Sequence, residues 1–500
     1  MSEPGPLPDQ GTDPVIDLEL HERLHRDALG VALRGVDWSL EQLWMSAFAL
    51  GSMLGLGELE AYLAGLGTLS AEERDILAQA MNERLAGSRP PAVPRSRLAR
   101  LARPASGPLA ALAGLLEGGR HCPPERLVAL IEAAAGALDV RRIVIYLADD
   151  DQHWLTPVPS PNGSARAPLR VDGTLAGRAF QTGQVVPAVD GREPRYWLPL
   201  INSDTRLGVL DVMLVDPVDL RAPGLRAQCQ WLADLLGHVL AGVDSHGDHL
   251  QDLRQLRPRT PGAELIWALL PPLTAGVDGF IVSGLLAPTD DLGGDIFDYA
   301  LAQDRVRLAI FDAMGHGMGA GLIGAAAVSA YRAARHAGLD LPGQAVAINQ
   351  SVAELFPDAF ATGILAELDL TSGRLRYLNA GHPPPLVVRG GKVVGPLGGP
   401  SRPPFGLSAK PVEPAEEVLE PGDWLALHTD GVTEARDATG AFFGDSRFRD
   451  LLERAAAAGL PAPETVRRLL QAVLAHQDGV LQDDATLLLA RWTARDDLLT

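Results

Sequence analysis

Cysteine is almost missing from this 500-residue chain: Cys122 and Cys229 are the only two, and neither belongs to a Cys-x-x-Cys pair. That excludes a disulfide framework and a cysteine zinc site. Lysine is as scarce, with Lys392 and Lys410 alone, so the basic side is almost entirely arginine. The 53 glycines and 39 prolines, beside abundant alanine, read as a coding bias rather than as chemistry. Long apolar runs are missing too. The longest uncharged stretch near the start, 43–57, is broken by glycines, whereas a spanning helix needs about 18 or more apolar residues. The opening MSEPGPLPDQ is acidic and proline-rich, with neither the basic nor the apolar region of a secretory signal. A cytoplasmic protein is therefore expected. Positive charge is in deficit: 43 basic against 63 acidic side chains leave −20. A surface of that sign repels nucleic-acid phosphate and anionic lipid, so neither nucleic acid nor membrane is expected as a partner. What is present is core material. Hydrophobic residues make up 46% and charged ones 21%, which rules out a wholly disordered chain and, at this length, suggests roughly three domains.

Residues 1–18 read as a disordered lead. From 19 to 87 apolar residues recur at helical spacing (Leu40, Leu43, Trp44), and Ser70 with Glu73 suggests a capping box. This helical region carries no chemical motif; docking or dimerisation suits it, and a homodimer is possible. A Pro/Arg-rich linker follows over 88–108. Residues 109–240 alternate helix and strand: a helix over 125–138, a strand over 142–148, GTLAGRAFQTGQVV, YWLPL, RLGVLDVML and a closing helix. Strands bounded by Gly and Pro with flanking helices predict one sheet with helices packed on it. This order resembles a GAF sensory domain, which implies an α/β fold that takes an unknown small-molecule or protein signal. No chromophore cysteine is evident. Trp231, Leu232, Leu235, Leu236, Leu250, Leu253 and Leu256 trace an apolar seam, from which a linker helix over 241–261 with a short coiled coil is expected.

The C-terminal part, 262–493, places acidic residues at strand ends beside glycines. Asp295 follows two glycines in GGDIFD, and Asp312 ends the apolar RVRLAIFD before a glycine-rich turn. Asp430 closes WLALHTDG, and Asp483 with Asp484 opens DDATLLLARW. One such carboxylate is usually a turn residue or a helix cap. Four motifs in one domain call for a common cause. Converging carboxylates repel one another unless a cation lies between them. Hard oxygen ligands without a His or Cys cluster point to Mg²⁺ or Mn²⁺. A two-metal carboxylate site suits phosphoryl hydrolysis by in-line attack of water. A rival reading takes Gly319, Gly321 and Gly324 as a dinucleotide-binding GxGxxG. It fails because the acidic residue expected at the end of a second parallel strand is instead Asp340, after a helical pattern.

Together, GGDIFD, DAMGHGMGA, TGILAELDLTSGRLRYLNAGHPPPLVV, PFGL, the stretch 419–444 and DDATLLLARW resemble, in order, SpoIIE-type phosphatases. These are the bacterial branch of the metal-dependent PPM (protein phosphatase 2C-like) Ser/Thr phosphatases. The resemblance implies an α+β fold: a C-terminal two-sheet antiparallel sandwich flanked by helices, behind the α/β GAF-like domain and the small helical N-terminal region. It also implies two Mn²⁺ or Mg²⁺ ions held by Asp295, Asp312, the carbonyl of Ala313, Asp430 and Asp483. The four aspartates act catalytically through metal-bound water, Asp312 bridges the ions, and Asp484 is the weaker of its pair. The implied substrate is a phosphoserine or phosphothreonine protein, an anti-sigma factor antagonist. The chain departs from the branch pattern at Phe297, where a tyrosine is common. His316 and His382 read as structural. The alternative is a phosphatase-fold scaffold without activity, whose mark would be a missing metal carboxylate; none of the four is missing.

Overall fold

The computed structural model describes residues 14–36, 38–85, 107–120, 122–160, 166–190, 193–244, 248–255, 259–287, 293–407 and 412–493. Most of the expected lead and the expected 88–108 linker lie outside them. The chain divides into two compact units, residues 1–105 and 106–500.

The first unit is helical: α1 (Pro14–Val36), α2 (Leu40–Ala49), α3 (Leu56–Leu63) and α4 (Ala71–Leu85). Its first helix begins at Pro14, inside the expected lead. The Ser39 hydroxyl and the Gln42 side chain close a reciprocal capping box on α2. The box expected at Ser70 is half formed. Ser70 Oγ accepts from the Glu73 amide, but the Glu73 carboxylate takes the Ser52 hydroxyl and the Met53 amide instead. Leu29, Leu43, Leu59, Tyr62, Leu77 and Met81 form the core. Within it His25 is held between the Tyr62 hydroxyl and the Arg74 carbonyl, both at 2.9 Å.

The second unit opens with α5 (Pro108–Gly119), α6 (Leu127–Ala137), β1 (Arg142–Ala148), β2 (Trp154–Pro157), β3 (Leu169–Arg170) and α7 (Leu175–Thr182). Then come β4 (Val186–Asp190), β5 (Glu193–Asn202), β6 (Thr205–Met213), α8 (Pro223–Asp244) and α9 (His249–Arg254). The six strands make one antiparallel sheet in the order β3-β2-β1-β6-β5-β4. Alternation along the strands gives the sheet two apolar faces. Ile143, Ile145, Leu198 and Leu210 pack under α5, α6 and α8, while Tyr146, Trp197 and Val209 pack with Phe180 of α7. Of the expected linker helix over 241–261, the described residues hold the end of α8, all of α9 and the start of the next helix at Pro261, while Leu256 lies outside them. Leu235, Leu250 and Leu253 fold into the core of this same sheet rather than forming an exposed coiled-coil seam. Burying those leucines where a sheet face already needs cover outweighs their helical spacing.

The remainder comprises α10 (Pro261–Leu269), β7 (Thr274–Val277), β8 (Phe280–Ala287), β9 (Ile296–Leu301), β10 (Arg305–Ala313), α11 (Gly317–His336) and α12 (Leu341–Leu355). Next are β11 (Ala361–Asp369), β12 (Arg374–Ala380), β13 (Leu386–Arg389), β14 (Lys392–Pro396), β15 (Ser401–Arg402), β16 (Ala415–Val418) and β17 (Trp424–His428). Helices α13 (Asp430–Thr433), α14 (Asp445–Ala457) and α15 (Ala462–His476) precede the last strand, β18 (Ala485–Trp492). One sheet runs β15-β12-β11-β10-β9, with β16 beside β12; the other runs β14-β13-β17-β18-β8-β7. Apart from the short parallel β12–β15 pair, the strands are antiparallel. Phe297, Leu308, Ile310 and Ile364 of the first sheet meet Val282, Leu427 and Leu488 of the second across the sandwich. Helices α10, α11 and α12 cover one outer face, and α14 and α15 the other. The fold is thus the expected α+β arrangement of antiparallel sheets with helices outside. Among the described residues no helix is long and apolar enough to cross a membrane.

Candidate active site

The two sheets bring the four acidic motifs to one end of the sandwich. Strand β9 lies antiparallel to β10 with Ile296 opposite Phe311, so Asp295, just before β9, falls beside Asp312 near the end of β10. Strand β18 lies antiparallel to β17 with Leu487 opposite His428, which sets Asp483 and Asp484 beside Asp430. Two antiparallel pairings, facing each other across one core, turn four distant stretches of sequence into one acidic cluster.

Glycines let these stretches approach. The Gly293 amide donates to Asp484 Oδ2 at 2.7 Å, and a Cβ at Gly293 would sit 2.7 Å from that oxygen. A Cβ at Gly431 would come within 2.0 Å of the Asp484 carbonyl oxygen, so TDG and DDAT can interlock only if that position carries no side chain. The Thr429 hydroxyl donates to Asp295 Oδ2 at 2.7 Å and accepts the Thr486 amide at 3.0 Å. Asp295 is therefore buried and fixed, Asp312 and Asp430 are half-buried, and Asp483 is exposed. Ala313 is buried, and its amide donates to the Gly294 carbonyl.

The electrostatics match that placement. Burial first, then the charges of Asp312 and Asp484, push the Asp295 carboxyl well above its ordinary range; the Thr429 hydroxyl opposes them. Asp312 is pushed up to about 7 by burial and by Asp430, Asp483 and Asp484. Burial, Asp483 and Glu434 raise Asp430. Mutually repelling, partly desolvated carboxylates of this kind fit a divalent cation, and an all-oxygen donor set matches Mg²⁺ or Mn²⁺. Among the described residues no three of these carboxylates have oxygens all within 4.8 Å of one another. The cluster converges without being a closed ligand set.

Asp484 is the buried member of its pair. It is 3% exposed, faces both Asp295 and Asp312 electrostatically, and clamps Gly293. It lies deeper in the cluster than Asp483, although the sequence ranks it second. Asp298, the second acid of GGDIFD, went unremarked in the sequence and plays a different part: Arg332 and Arg335 of α11 pair with it at 2.7 and 2.9 Å, tying that helix to β9. Phe297 lies between the sheets, so the hydroxyl it lacks belongs to the core and not to the cluster. His316 is exposed at the start of α11. His382 is buried, its Nδ1 lies 2.7 Å from the Thr362 hydroxyl, and burial, with His428 adding, pushes it down to about 3.

A family model described as Stage II sporulation protein E (SpoIIE) matches residues 302–493. That span holds Asp312, Asp430, Asp483 and Asp484; Asp295 lies just upstream. The protein IcfG of Synechocystis sp. is 32% identical over 131 residues, 26% of this chain and 20% of IcfG. Phosphoserine phosphatase RsbU of Bacillus subtilis is 25% identical over 222 residues, 42% of this chain and 62% of RsbU. The chain thus spans less than two thirds of either relative. The solved SiaA-PP2C domain of Pseudomonas aeruginosa superposes with a TM-score of 0.39 at 25% identity, covering 42% of this chain and 85% of that one. The residues that draw the acidic motifs to one end of an antiparallel sandwich thus fall, but for the stretch around Asp295, within the part of the chain that matches the SpoIIE family model.

Proposed function

We propose that this protein is a Mn²⁺- or Mg²⁺-dependent protein serine/threonine phosphatase, that its substrate is a phosphorylated anti-sigma factor antagonist, and that the GAF-like sheet unit over 109–240 regulates it. One observation carries the reading: the junction of β9, β10, β17 and β18 gathers Asp295, Asp312, Asp430 and Asp483, and among the described residues no arginine or lysine pairs with any of them. These side chains and the Ala313 carbonyl would hold two divalent ions. Bound there, the ions supply positive charge that offsets the repulsion, acidifies water and stabilises a phosphoryl group in displacement. The chain's own residues do the rest. Thr429 fixes the orientation of Asp295, and the bond from Gly293 to Asp484 locks the two halves of the cluster together. Asp483 and His316 keep one side open to solvent, where Met314, Met318 and Leu322 are also exposed. Such a rim suits a phosphate carried on a protein surface. The match to RsbU, a phosphoserine phosphatase by name, supports the same chemistry.

Regulation has a contact to act through. Asp172 of the sheet unit binds Arg467 of α15, Asp150 pairs with Arg259, and the Thr205 hydroxyl donates to the Thr274 carbonyl at 2.9 Å. A signal changes activity only if it binds two arrangements of such contacts with different affinity. The test is incubation of the full chain with phosphorylated antagonists from the same genome, with and without Mn²⁺. Phosphate release that requires Mn²⁺ supports the reading; intact phosphoprotein under both conditions contradicts it.

A further inference from the structure

A second cluster of metal-ligating side chains lies far along the chain from the phosphatase motifs, in the turn between β1 and β2. One carboxylate oxygen each from Asp149 and Asp151 and one ring nitrogen of His153 all lie within 4.8 Å of one another. Asp149 is 2% exposed. Its Oδ1 accepts the amides of His153 and Trp154 at 2.8 and 2.7 Å, which folds the turn. Its Oδ2 is buried with no hydrogen-bond partner among the described residues. A buried, unanswered carboxylate oxygen is costly unless a cation or donor meets it. Among the described residues neither Asp149 nor Asp151 has an ion pair, and no hydrogen bond engages the His153 ring. The nearby guanidinium of Arg467 is already committed to Glu464 and Asp172. A cavity of about 30 Å³ adjoins the turn, lined by Asp151 and His153 together with Leu285, Leu286 and Arg467. That is the room of about one water molecule.

We propose that Asp149, Asp151 and His153 form a binding site for one divalent transition-metal ion, separate from the phosphatase carboxylates and set where the sheet unit meets β8 and α15. Two carboxylate oxygens and one imidazole nitrogen are the donors Zn²⁺ accepts, with water from the cavity completing the shell. The imidazole disfavours Mg²⁺, which keeps to oxygen ligands. The His153 amide bond to Asp149 links the first and last ligands through the backbone, so an ion here would stiffen the turn that faces α15.

Equilibrium dialysis of full-length protein against Zn²⁺, followed by metal analysis, tests this. All samples carry Asp312→Asn, so that binding at the phosphatase cluster is reduced equally. The parent is expected to retain one Zn²⁺ that His153→Ala loses or binds roughly 100-fold more weakly. Asp151→Asn, at an exposed position that leaves the fold intact, is expected to weaken the same ion, and millimolar Mg²⁺ is expected not to displace it. Equal Zn²⁺ content and affinity in the parent and in Asp151→Asn would overturn the proposal, as would displacement of the ion by Mg²⁺.

Discussion

The Gly293 amide and the Asp484 carboxylate, 191 residues apart in sequence, meet in a 2.7 Å hydrogen bond that closes the acidic cluster from behind. Asp484 therefore has two properties, an acceptor and a charge, and substitutions separate them. Asp484→Asn keeps an acceptor for the amide and removes the charge; Asp484→Ala removes both. The alanine variant leaves a buried N–H unanswered and is expected to be less stable than the asparagine variant by about 1–3 kcal/mol. Chemical denaturation of the two proteins side by side measures this, and equal midpoints would remove the clamp.

Gly431 gives a steric test of the same junction. A methyl group there meets the Asp484 carbonyl oxygen at 2.0 Å, a backbone contact that no rotamer change relieves. Gly431→Ala is expected to separate TDG from DDAT, to cost at least the 1–3 kcal/mol typical of overpacking (roughly), and to lose most phosphatase activity. Normal turnover and melting temperature in this variant would show that the two motifs are free to move apart.

Arg467 is buried on α15 and divided between Glu464, also buried, and the more exposed Asp172 of the sheet unit. Glu464→Ala leaves the buried guanidinium only its more exposed partner Asp172 and is expected to destabilise by up to the roughly 3–5 kcal/mol of a broken buried pair. Asp172→Ala leaves Glu464 in place and is expected to cost clearly less, while altering any effect of the sheet unit on turnover. Thermal unfolding ranks the two variants; the opposite order would mean that Asp172 is the principal partner.

His25 sets a pH limit on the helical unit. Burial is the main cause lowering its pKa from the ordinary 6.5, so the folded unit holds the ring neutral between Tyr62 and Arg74. Below 6.5 the unfolded chain takes up the proton more readily than the folded one. The contribution is therefore fully present above pH 6.5 and is lost as pH falls toward the lowered folded value. His25→Gln is expected to flatten that loss. Melting curves of wild type and variant between pH 7.5 and about 5 check it, and parallel decline in both would exclude His25 as the cause.

Some of this was legible in the sequence and some was not, for identifiable reasons. The acidic motifs were legible because each joins an apolar strand to a glycine turn, a local pattern that the sandwich then uses. The depth of Asp484 was not, since a doublet does not say which carboxylate faces inward; that depends on Gly293, far away in the chain. Nor was the inward packing of Leu235, Leu250 and Leu253. Helical spacing in 231–256 fits an exposed seam as well as a sheet-facing one, and only the presence of the sheet decides. The Arg467–Asp172 pair joins residues 295 apart, and neither has a local signature. Asp298 escaped because an acid at the same kind of position can serve an ion pair with a helix as readily as a metal.

The most direct measurement of the central claim is hydrolysis of a phosphorylated antagonist by the full chain at saturating Mn²⁺, in excess chelator, and in the Asp312→Asn variant. The account predicts turnover that needs the metal, falls by at least about 100-fold in Asp312→Asn, and accumulates no phosphorylated enzyme. Full turnover in chelator, or near-normal turnover of Asp312→Asn at saturating metal, would contradict it.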